Sequence, residues 1–252
     1  MFNQQKKFIM KKYVLFLVQI VFVISIVNGQ DKDPKVTELW APVPPEVKPG
    51  ETGNPPSDAL ILFNGEDLSK WESATGGTAL WKIEGNAMTV VPKSGAIKTK
   101  DEFGSIQMHV EWRAPEEVKG DGQGRGNSGI FLMGKYELQV LDSYNNETYH
   151  NGQAASIYKQ HIPLVNASKK PGEWQTYDVI FTAPVFGESG RVVHPAYITV
   201  LHNGVLVQNH VAIWGPTQFR GLPAYSEHGK GPIILQDHNN PVSYRNIWVR
   251  EL

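Results

Sequence analysis

Residues 107–113 read Gln-Met-His-Val-Glu-Trp-Arg, and residues 136–142 read Tyr-Glu-Leu-Gln-Val-Leu-Asp. In both stretches apolar residues alternate with charged or amide residues, and this two-residue period predicts β-strands that bury their apolar face. The polar positions on the opposite faces are His109, Glu111, Arg113, Glu137 and Gln139. Carboxylates, amides and a guanidinium in these positions predict one shared polar binding floor rather than an ordinary solvated surface.

Strand-like runs fill the chain from residue 58 to residue 252, and no stretch has sustained helical periodicity. Turn signals separate the runs, and Asn203-Gly204 is typical of a two-residue type I′ hairpin. Many strands without crossover helices predict an all-β fold, an antiparallel two-sheet jelly-roll sandwich. The predicted strands cover residues 81–83, 87–91, 97–99, 103–113, 128–132, 136–142, 155–158, 174–182, 197–202, 205–213, 232–237 and 242–249.

Residues 1–29 have the pattern of a secretory signal peptide. Four lysines precede an apolar run over residues 13–27. This run is shorter than the roughly 20 residues that a membrane-spanning helix needs, and no later run is long enough to span. We therefore expect cleavage near Gly29 and export to a bacterial periplasm or to the cell exterior. An uncleaved N-terminal anchor is the alternative.

Residues 30–57 contain seven prolines and little apolar periodicity. Proline at this density is typical of an extended segment. The sequence therefore predicts a Pro-rich linker or strap before a jelly-roll catalytic domain over residues 58–252.

The composition excludes several classes of protein. Removal of residues 1–29 would leave 20 of the 24 Lys and Arg residues against 25 Asp and Glu residues. A mildly acidic protein is a poor partner for nucleic acid or for anionic lipid. Cysteine is absent, which excludes disulfides, thiolate catalysis and cysteine-ligated zinc.

A glycine-rich segment over residues 120–129 lies between the two opening stretches. A phosphate-binding loop needs a helix directly after it, whereas a strand follows here, and Asp121 has no regularly spaced acidic partners for calcium. We interpret the segment as a mobile lip beside the polar floor, with Asn127 and Ser128 as hydrogen-bonding groups.

Residues 231–238, near the C-terminus, read Gly-Pro-Ile-Ile-Leu-Gln-Asp-His. Alternation places Gln236 and His238 on one face, with Leu235 and Asp237 on the other. Binding residues often collect where strands end in loops, so Gln236 and His238 are predicted to join the polar floor. A purely structural role for His238 is the alternative.

Two tryptophans and one loop are assigned to structural roles. Trp112 and Trp174 lie on strand patterns and are predicted to be core residues. The loop over residues 221–230, with Glu227 and His228, is predicted to be solvated.

Several short motifs, in order and with consistent spacing, carry a resemblance to a known family. They are Leu62-Phe63-Asn64-Gly65 with Leu68 and Trp71, Glu111-Trp112-Arg113, Asn127-Ser128-Gly129, Tyr136 to Asp142, Pro171-Gly172-Glu173-Trp174, Asn203-Gly204, Gly231 to His238, and Tyr244-Arg245-Asn246-Ile247. Together they resemble the 3-keto-glycoside 1,2-lyase / 3-keto-2-hydroxy-glucal hydratase family. This family is also described as 3-keto-disaccharide hydrolases and was once catalogued as domain of unknown function 1080. The resemblance covers about residue 58 to the C-terminus and departs at residues 154–158, where family members often have glycine before a small residue.

The resemblance implies a concanavalin A-like jelly roll, export in bacteria, and action on sugars already oxidised at C3. A separate glycoside 3-oxidoreductase would then supply the 3-keto-glycoside or 3-keto-disaccharide substrate. A ketone at C3 acidifies the proton on C2, so a base could remove that proton and an acid could protonate the leaving oxygen. Water would then add to the resulting glucal.

The residues expected to perform this chemistry come from all three polar stretches. The candidate bases and acids are His238, Glu111 and Glu137, and His238 is the preferred base because imidazoles ordinarily titrate near neutral pH. The candidate substrate-binding residues are Arg113, Gln139, Gln236, Asn127, Tyr158 and Arg245. The sequence requires no cofactor, and a divalent cation, if present, would use Glu137, Gln139 and His238.

Two other functions stay open at this point. A conventional glycosidase would use Glu111 and Glu137 as its carboxylate pair. Jelly-roll glycosidases, however, usually place both carboxylates close together on one strand, a spacing that residues 137–142 lack. A carbohydrate-binding module would need no chemistry at all, and the fold alone does not separate these classes.

Overall fold

The computed structural model describes residues 33–51 and 53–252, so the predicted signal peptide at residues 1–29 lies outside the described residues. The chain divides into two compact units between Glu46 and Val47. The described part of the first unit contains one short 3-10 helix, Pro34–Thr37, where the Lys35 backbone N–H donates to the Asp33 carboxylate. No helix within the described residues is long and apolar enough to cross a membrane.

The second unit is built from strands, of which the described residues contain fifteen. They are β1 Leu60–Phe63, β2 Trp71–Ser73, β3 Lys82–Glu84, β4 Ala87–Thr89, β5 Ile97–Thr99, β6 Ile106–Arg113, β7 Ser128–Leu132, β8 Tyr136–Val140, β9 Gln175–Thr182, β10 Val185–Phe186, β11 Val192–His194, β12 Tyr197–His202, β13 Val205–Ala212, β14 Ile234–Leu235 and β15 Ser243–Glu251. Two further 3-10 helices, Gly122–Gly124 and His150–Gly152, lie in the connections.

Two antiparallel sheets stack to form the sandwich. The larger sheet has eight strands in the order β13-β12-β9-β6-β15-β4-β3, and β1 also pairs with β15. The smaller sheet has five strands in the order β2-β5-β14-β7-β8, while β10 and β11 form a separate hairpin. This architecture confirms the predicted all-β jelly-roll sandwich.

The core between the sheets follows the alternation of the two opening stretches. In β6, Met108, Val110 and Trp112 are at most 1% exposed, and in β8 Leu138 and Val140 are fully buried. These side chains belong to one continuous hydrophobic core. Burial of this much apolar surface is the main stabilising contribution of the fold.

The prediction that the two opening stretches share one polar floor is wrong. β6 belongs to the eight-stranded sheet and β8 to the five-stranded sheet. Because both strands turn their apolar faces toward the same core, their polar faces point to opposite sides of the sandwich. Glu111 and Glu137 therefore lie on different surfaces of the molecule.

Two tyrosine hydroxyls cross the core and join the sheets. Tyr177 of β9 donates a hydrogen bond of 2.9 Å to the backbone carbonyl of Gln139 in β8. Tyr244 of β15 donates one of 2.7 Å to the Ser128 hydroxyl in β7. Both tyrosines are fully buried, so these bonds satisfy polar groups that would otherwise destabilise the core.

The predicted hairpin at Asn203-Gly204 is confirmed. Asn203 and Gly204 have φ angles of 53° and 78°, and His202 pairs with Val205 across the turn. Both residues take the positive φ that a type I′ turn requires. The predicted strand over residues 155–158 is wrong, because only an isolated bridge residue, Ile157, pairs there.

The second unit begins before residue 58. The Gly53 carbonyl accepts hydrogen bonds from the Asn246 amide at 2.8 Å and from the Trp248 indole at 3.3 Å. The Lys48 N–H also donates to the Ser57 hydroxyl at 3.0 Å. Part of the proline-rich segment, from Val47 onward, is thus fastened to the outer face of the eight-stranded sheet.

Candidate active site

A cleft of about 740 Å³ opens on the outer face of the five-stranded sheet. This volume lies within the range typical of small-molecule sites. Its lining is Gln123, Asn127, Phe131, Glu137, Gln139, Tyr149, Tyr158, Thr217, Phe219, Gln236 and His238. The two polar stretches that meet there are β8 and the residues that follow β14, so two of the three predicted contributors converge.

Glu137 is the carboxylic acid of this cleft. The residue is only 5% exposed, and no side chain or backbone group among the described residues donates a hydrogen bond to its carboxyl group. Burial raises the pKa of this carboxyl from 4.5 to about 8, because an uncompensated negative charge is unfavourable away from water. At neutral pH Glu137 is therefore mainly protonated and is a proton donor.

Gly129 makes room for the Glu137 carboxyl group. Gly129 lies on β7, beside β8, and pairs with Gln139. A β-carbon at this position would lie 2.5 Å from Oε1 of Glu137. Glycine at the third position of the Asn127-Ser128-Gly129 motif is thus required to leave space for the Glu137 carboxyl group.

Gln139 is held beside Glu137 by its amide nitrogen. Nε2 donates to Oε1 of Gln123 at 3.1 Å and to the Gly152 carbonyl at 3.2 Å. Its Oε1 atom is buried and accepts no hydrogen bond from the described residues. A buried acceptor of this kind is stabilised by a donor such as a sugar hydroxyl.

His238 and Gln236 reach the cleft from the segment after β14, as the sequence predicts. The backbone of Gln236 is fixed to β7, since its N–H donates to the Gly129 carbonyl and its carbonyl accepts from the Ser128 hydroxyl. Asp237 points elsewhere and accepts from the Gly95 N–H. The His238 side chain is exposed and has no hydrogen bond to any described residue, so its ring nitrogens are available to a ligand.

Aromatic side chains form one wall of the cleft. The hydroxyls of Tyr149 and Tyr158 lie 2.6 Å apart, and burial together with this contact raises the pKa of Tyr158. The Lys159 ammonium lies 4.3 Å from the centre of the Phe219 ring and donates to the Phe219 carbonyl at 2.7 Å. Phe219 is 67% exposed, which suits a wall that contacts the apolar face of a sugar ring.

Glu111, Arg113 and Arg245 lie outside this cleft, so their predicted places in the site are wrong. All three are on strands of the eight-stranded sheet. Burial acts to raise the pKa of Glu111, but hydrogen bonds from Asn246 at 3.0 Å and Arg245 at 2.6 Å outweigh it and hold that pKa below its ordinary value. Glu111 is therefore an ionised, fully paired carboxylate.

Trp174 belongs to the same outer surface as Glu111. The guanidinium groups of Arg113 and Arg245 lie 4.7 and 4.1 Å from its ring centre. The residue is half-buried, so the prediction that it is a core residue is wrong. Trp112, which is 1% exposed, is a core residue as predicted.

The residues named for a divalent cation, Glu137, Gln139 and His238, all line the cleft. Among residues 33–51 and 53–252, however, no group of three or more His, Asp and Glu side chains is placed to hold a metal ion. A cation at this position would depend on the Gln139 amide oxygen as a third ligand.

The glycine-rich segment over residues 120–129 is tied to its surroundings. Arg125 forms an ion pair of 2.6 Å with Asp142 and donates to the Tyr144 carbonyl. Asn146 both accepts from the Gly122 N–H and donates to the Gly122 carbonyl. The segment that was predicted to be a mobile lip is thus held by an ion pair and several hydrogen bonds, and we call residues 120–129 the rim of the cleft. The Asn127 side-chain amide adds a 2.7 Å hydrogen bond to the Gln123 carbonyl.

Several cleft residues escaped the sequence analysis. They are Gln123, Phe131, Tyr149, Thr217 and Phe219. Four of the five lie in connections between strands, where no periodicity marks them. The loop over residues 221–230 adds no residue to this cleft, and His228 instead contacts the Tyr136 hydroxyl at 2.6 Å.

Comparisons with known proteins give a family match and similar solved structures. A family model described as a 3-keto-alpha-glucoside-1,2-lyase-like domain matches residues 58–250. A Parabacteroides distasonis structure that carries the provisional name glycosyl hydrolase is 53% identical, with 87% of this chain and 96% of that chain covered and a TM-score of 0.84. A second structure of that name from the same organism is 19% identical, covers 77% of this chain and 94% of its own, and has the same fold at a TM-score of 0.56. No match was found among curated proteins.

Proposed function

The chain belongs to the 3-keto-alpha-glucoside-1,2-lyase-like family, and from that premise we propose that it cleaves 3-keto-glycosides by elimination followed by hydration. The observation that carries the proposal is the pairing, in one cleft, of a buried and protonated Glu137 with an exposed and unbonded His238. An acid and a base in different environments are what such a reaction needs.

The reaction begins at the carbon next to the ketone. A base removes the proton from C2, and the electrons of that C–H bond pass to the C3 oxygen as an enediolate. When the C3 carbonyl re-forms, a C1–C2 double bond forms and the bond from C1 to the aglycone oxygen breaks. That oxygen takes a proton from an acid, which leaves a 3-keto-2-hydroxy-glucal and the free aglycone.

Hydration completes the net hydrolysis. Water adds its hydroxyl to C1 of the glucal, and a proton returns to C2. The group that took the C2 proton is the natural donor for this return, since the same face of the ring is involved. The final products are a 3-keto sugar and the aglycone, with no change in oxidation state overall.

We assign the acid to Glu137 and the base to His238. With its pKa raised to about 8, Glu137 carries a proton at neutral pH and delivers it to the leaving oxygen. His238 has no competing hydrogen bond among the described residues, so an imidazole nitrogen is free to take the C2 proton. Gln139, Gln236 and Asn127 then hold sugar hydroxyls and the enediolate oxygen.

A two-carboxylate glycosidase finds less support. Glu137 is the only Asp or Glu among the described residues that line the cleft, whereas that mechanism needs two carboxylates across the glycosidic bond. Glu111, its other candidate, lies on the opposite outer surface and is engaged by Arg245 and Asn246.

The proposed substrate also requires an earlier reaction. A hydroxyl at C3 must first be oxidised by a separate glycoside 3-oxidoreductase, because elimination and hydration together change no oxidation state. We propose that both steps take place outside the cytoplasm, on the basis of the signal-peptide pattern in residues 1–29.

A direct test compares a 3-keto-glucoside with its unoxidised parent. We expect the purified protein to release the aglycone from the keto sugar alone, and liquid chromatography measures this release. We also expect a glucal intermediate, which is detected by its ultraviolet absorbance. Release from both sugars would favour the glycosidase, and binding without release would favour a carbohydrate-binding module. Either result would overturn the proposal.

A further inference from the structure

Tyr158 and Glu137 are direct neighbours in the cleft. An isolated antiparallel bridge joins Ile157 to Leu138, and the Tyr158 N–H donates to the Glu137 carbonyl at 3.2 Å. Residues directly opposite each other in antiparallel pairing point to the same face, with β-carbons about 4.5–5.5 Å apart. Tyr158 therefore lies beside the carboxyl group that we propose as the acid, and both residues line the cleft.

The hydroxyls of Tyr149 and Tyr158 together leave one O–H group free. The two oxygens lie 2.6 Å apart, and neither hydroxyl has another hydrogen-bond partner among the described residues. Each tyrosine carries one O–H donor, so one proton lies between the oxygens and the other is available to a ligand. When Tyr149 donates to Tyr158, the available O–H is the one beside Glu137, and the first hydrogen bond strengthens the second.

The surroundings of this tyrosine pair favour a protonated donor and a negatively charged ligand. Burial, together with the hydrogen bond to Tyr149, raises the pKa of Tyr158, so its hydroxyl keeps its proton at neutral pH. The Lys159 ammonium lies 5.8 and 5.7 Å from the ring centres of Tyr149 and Tyr158. A donor that does not ionise, with a cation close by, stabilises a developing oxyanion without transferring a proton.

The donor for the C3 oxygen of the substrate is expected close to Glu137. The leaving oxygen is bound to C1, and C3 is only two carbons further along the same sugar ring. Gln139 is the other neighbour of Glu137 on this face, but its amide N–H groups donate to Gln123 and to the Gly152 carbonyl. Its remaining polar atom is an acceptor, which would repel an enediolate oxygen. Tyr158 is thus the neighbour of Glu137 with a free donor.

We propose that Tyr158 is a further catalytic residue, whose hydroxyl donates a hydrogen bond to the C3 oxygen, and that Tyr149 is the positioning residue that orients it. The inference rests on the proposed function and deepens it. When the C2–H bond breaks, its proton passes to His238 and its electron pair moves to the C3 oxygen. Tyr158 keeps its own proton throughout, and its hydrogen bond becomes stronger because the oxygen that accepts it becomes charged.

The test isolates enediolate formation with a keto sugar that has no leaving group, the 3-keto derivative of 1,5-anhydroglucitol. In D₂O, proton NMR follows the exchange of the C2 hydrogen for deuterium. We expect Tyr158→Phe to slow this exchange by roughly 10²–10³, as the loss of one oxyanion-hole donor does. Tyr197→Phe, on β12 of the eight-stranded sheet, is the matched control and should keep the wild-type rate. A wild-type exchange rate in Tyr158→Phe would overturn the inference.

A double variant tests the positioning role of Tyr149. Tyr149→Phe alone should slow the exchange by about tenfold, because the Tyr158 hydroxyl loses the partner that orients it. Since Tyr149 acts through Tyr158, the double variant should be no slower than Tyr158→Phe. General damage to the cleft would instead make the two losses multiply, and that result would reject the role of Tyr149.

The wild-type protein separates this inference from the proposed function. If it exchanges the C2 hydrogen and releases the aglycone from a 3-keto-glucoside, the proposed function stands, and the Tyr158→Phe result decides the inference alone. If it does neither, the proposed function fails and the role of Tyr158 fails with it.

Discussion

The outer faces of β6 and β8 begin from the same sequence pattern and end as opposite kinds of surface. Each strand presents a glutamate on its polar face, Glu111 on β6 and Glu137 on β8. Glu111 accepts hydrogen bonds from an arginine and an asparagine, and its pKa is lowered. Glu137 has no such partner among the described residues, and its pKa is raised to about 8.

This contrast teaches that the partners of a carboxylate decide its chemistry. Paired with a guanidinium, a carboxylate stays ionised and contributes to structure. Buried without a partner, the same group retains its proton and is able to donate it in a reaction. Both residues are glutamates on the polar face of a strand, so neither residue type nor strand face alone identifies the acid that we propose for the reaction.

The largest effect that would sharpen the comparison is a loss of turnover on replacement of Glu137 but not of Glu111. Glu137→Gln keeps the shape of the side chain but removes its acid, and we expect kcat on a 3-keto-glucoside to fall by roughly 10²–10⁴, the range for lost acid–base catalysis. Glu111→Gln, the matched control on the other face, should keep kcat within about threefold, because surface substitutions away from a site have small effects. Equal losses in the two variants would remove the distinction between the faces.

A smaller effect is expected when the space around Glu137 is filled. In Gly129→Ala the new β-carbon would lie 2.5 Å from Oε1 of Glu137, so the carboxyl group must move. We expect kcat to fall about tenfold to a hundredfold, as displacement of a catalytic group by about 1 Å does. Gly229→Ala is the control, because a β-carbon there meets no atom within 4 Å. Wild-type kinetics in Gly129→Ala would show that the carboxyl position is not critical.

The smallest effect concerns stability, and its sign should differ between the two glutamates. The pKa of Glu137 is 4.5 in the unfolded chain, and burial raises it to about 8 in the folded protein. Between these two pH values the folded protein therefore binds more protons than the unfolded chain. Wild-type stability should therefore decrease with rising pH relative to Glu137→Gln, by up to about 1.4 kcal/mol per pH unit. Urea unfolding from pH 5 to pH 8 measures the difference.

The Glu111→Gln variant supplies the opposite case in the same experiment. The lowered pKa of Glu111 stabilises the fold at pH values above the ordinary glutamate pKa, and this contribution is lost as the pH falls through the lower folded value. Glu111→Gln should therefore be less stable than wild type at pH 7, with the gap closing in acid. Parallel curves for both variants would contradict the contrasting environments.

The sequence predicted which residues of each strand are buried but not which sheet each strand joins. Alternation identified Met108 and Leu138 as core residues, because burial of one face imposes a period of two. It carries no information on pairing, which joins β6 to β9 and β15 over long separations in the chain. Glu111 was consequently placed on the wrong surface.

The cleft residues named from the sequence lie mainly on or directly beside strands of the five-stranded sheet, whereas most of those missed lie in connections. Glu137, Gln139 and His238 stand in or beside strands whose pattern places them on one face. Tyr149 and Phe219 come from connections whose course depends on tertiary contacts, such as those of the Lys159 ammonium with both of their rings. Loop positions of this kind have no local sequence signal.

The tyrosine hydroxyls that cross the core have a practical consequence for engineering. Tyr177 and Tyr244 form hydrogen bonds to β8 and β7 from the core side. The strands that carry Glu137 and Gly129 are therefore held in place by contacts that do not involve the rim or the aromatic wall. A designer could exchange the connections around the cleft for those of a relative and retain the proton-donating group in position. If Glu137 is the acid that we propose, substrate preference could then be altered through these connections without moving the acid.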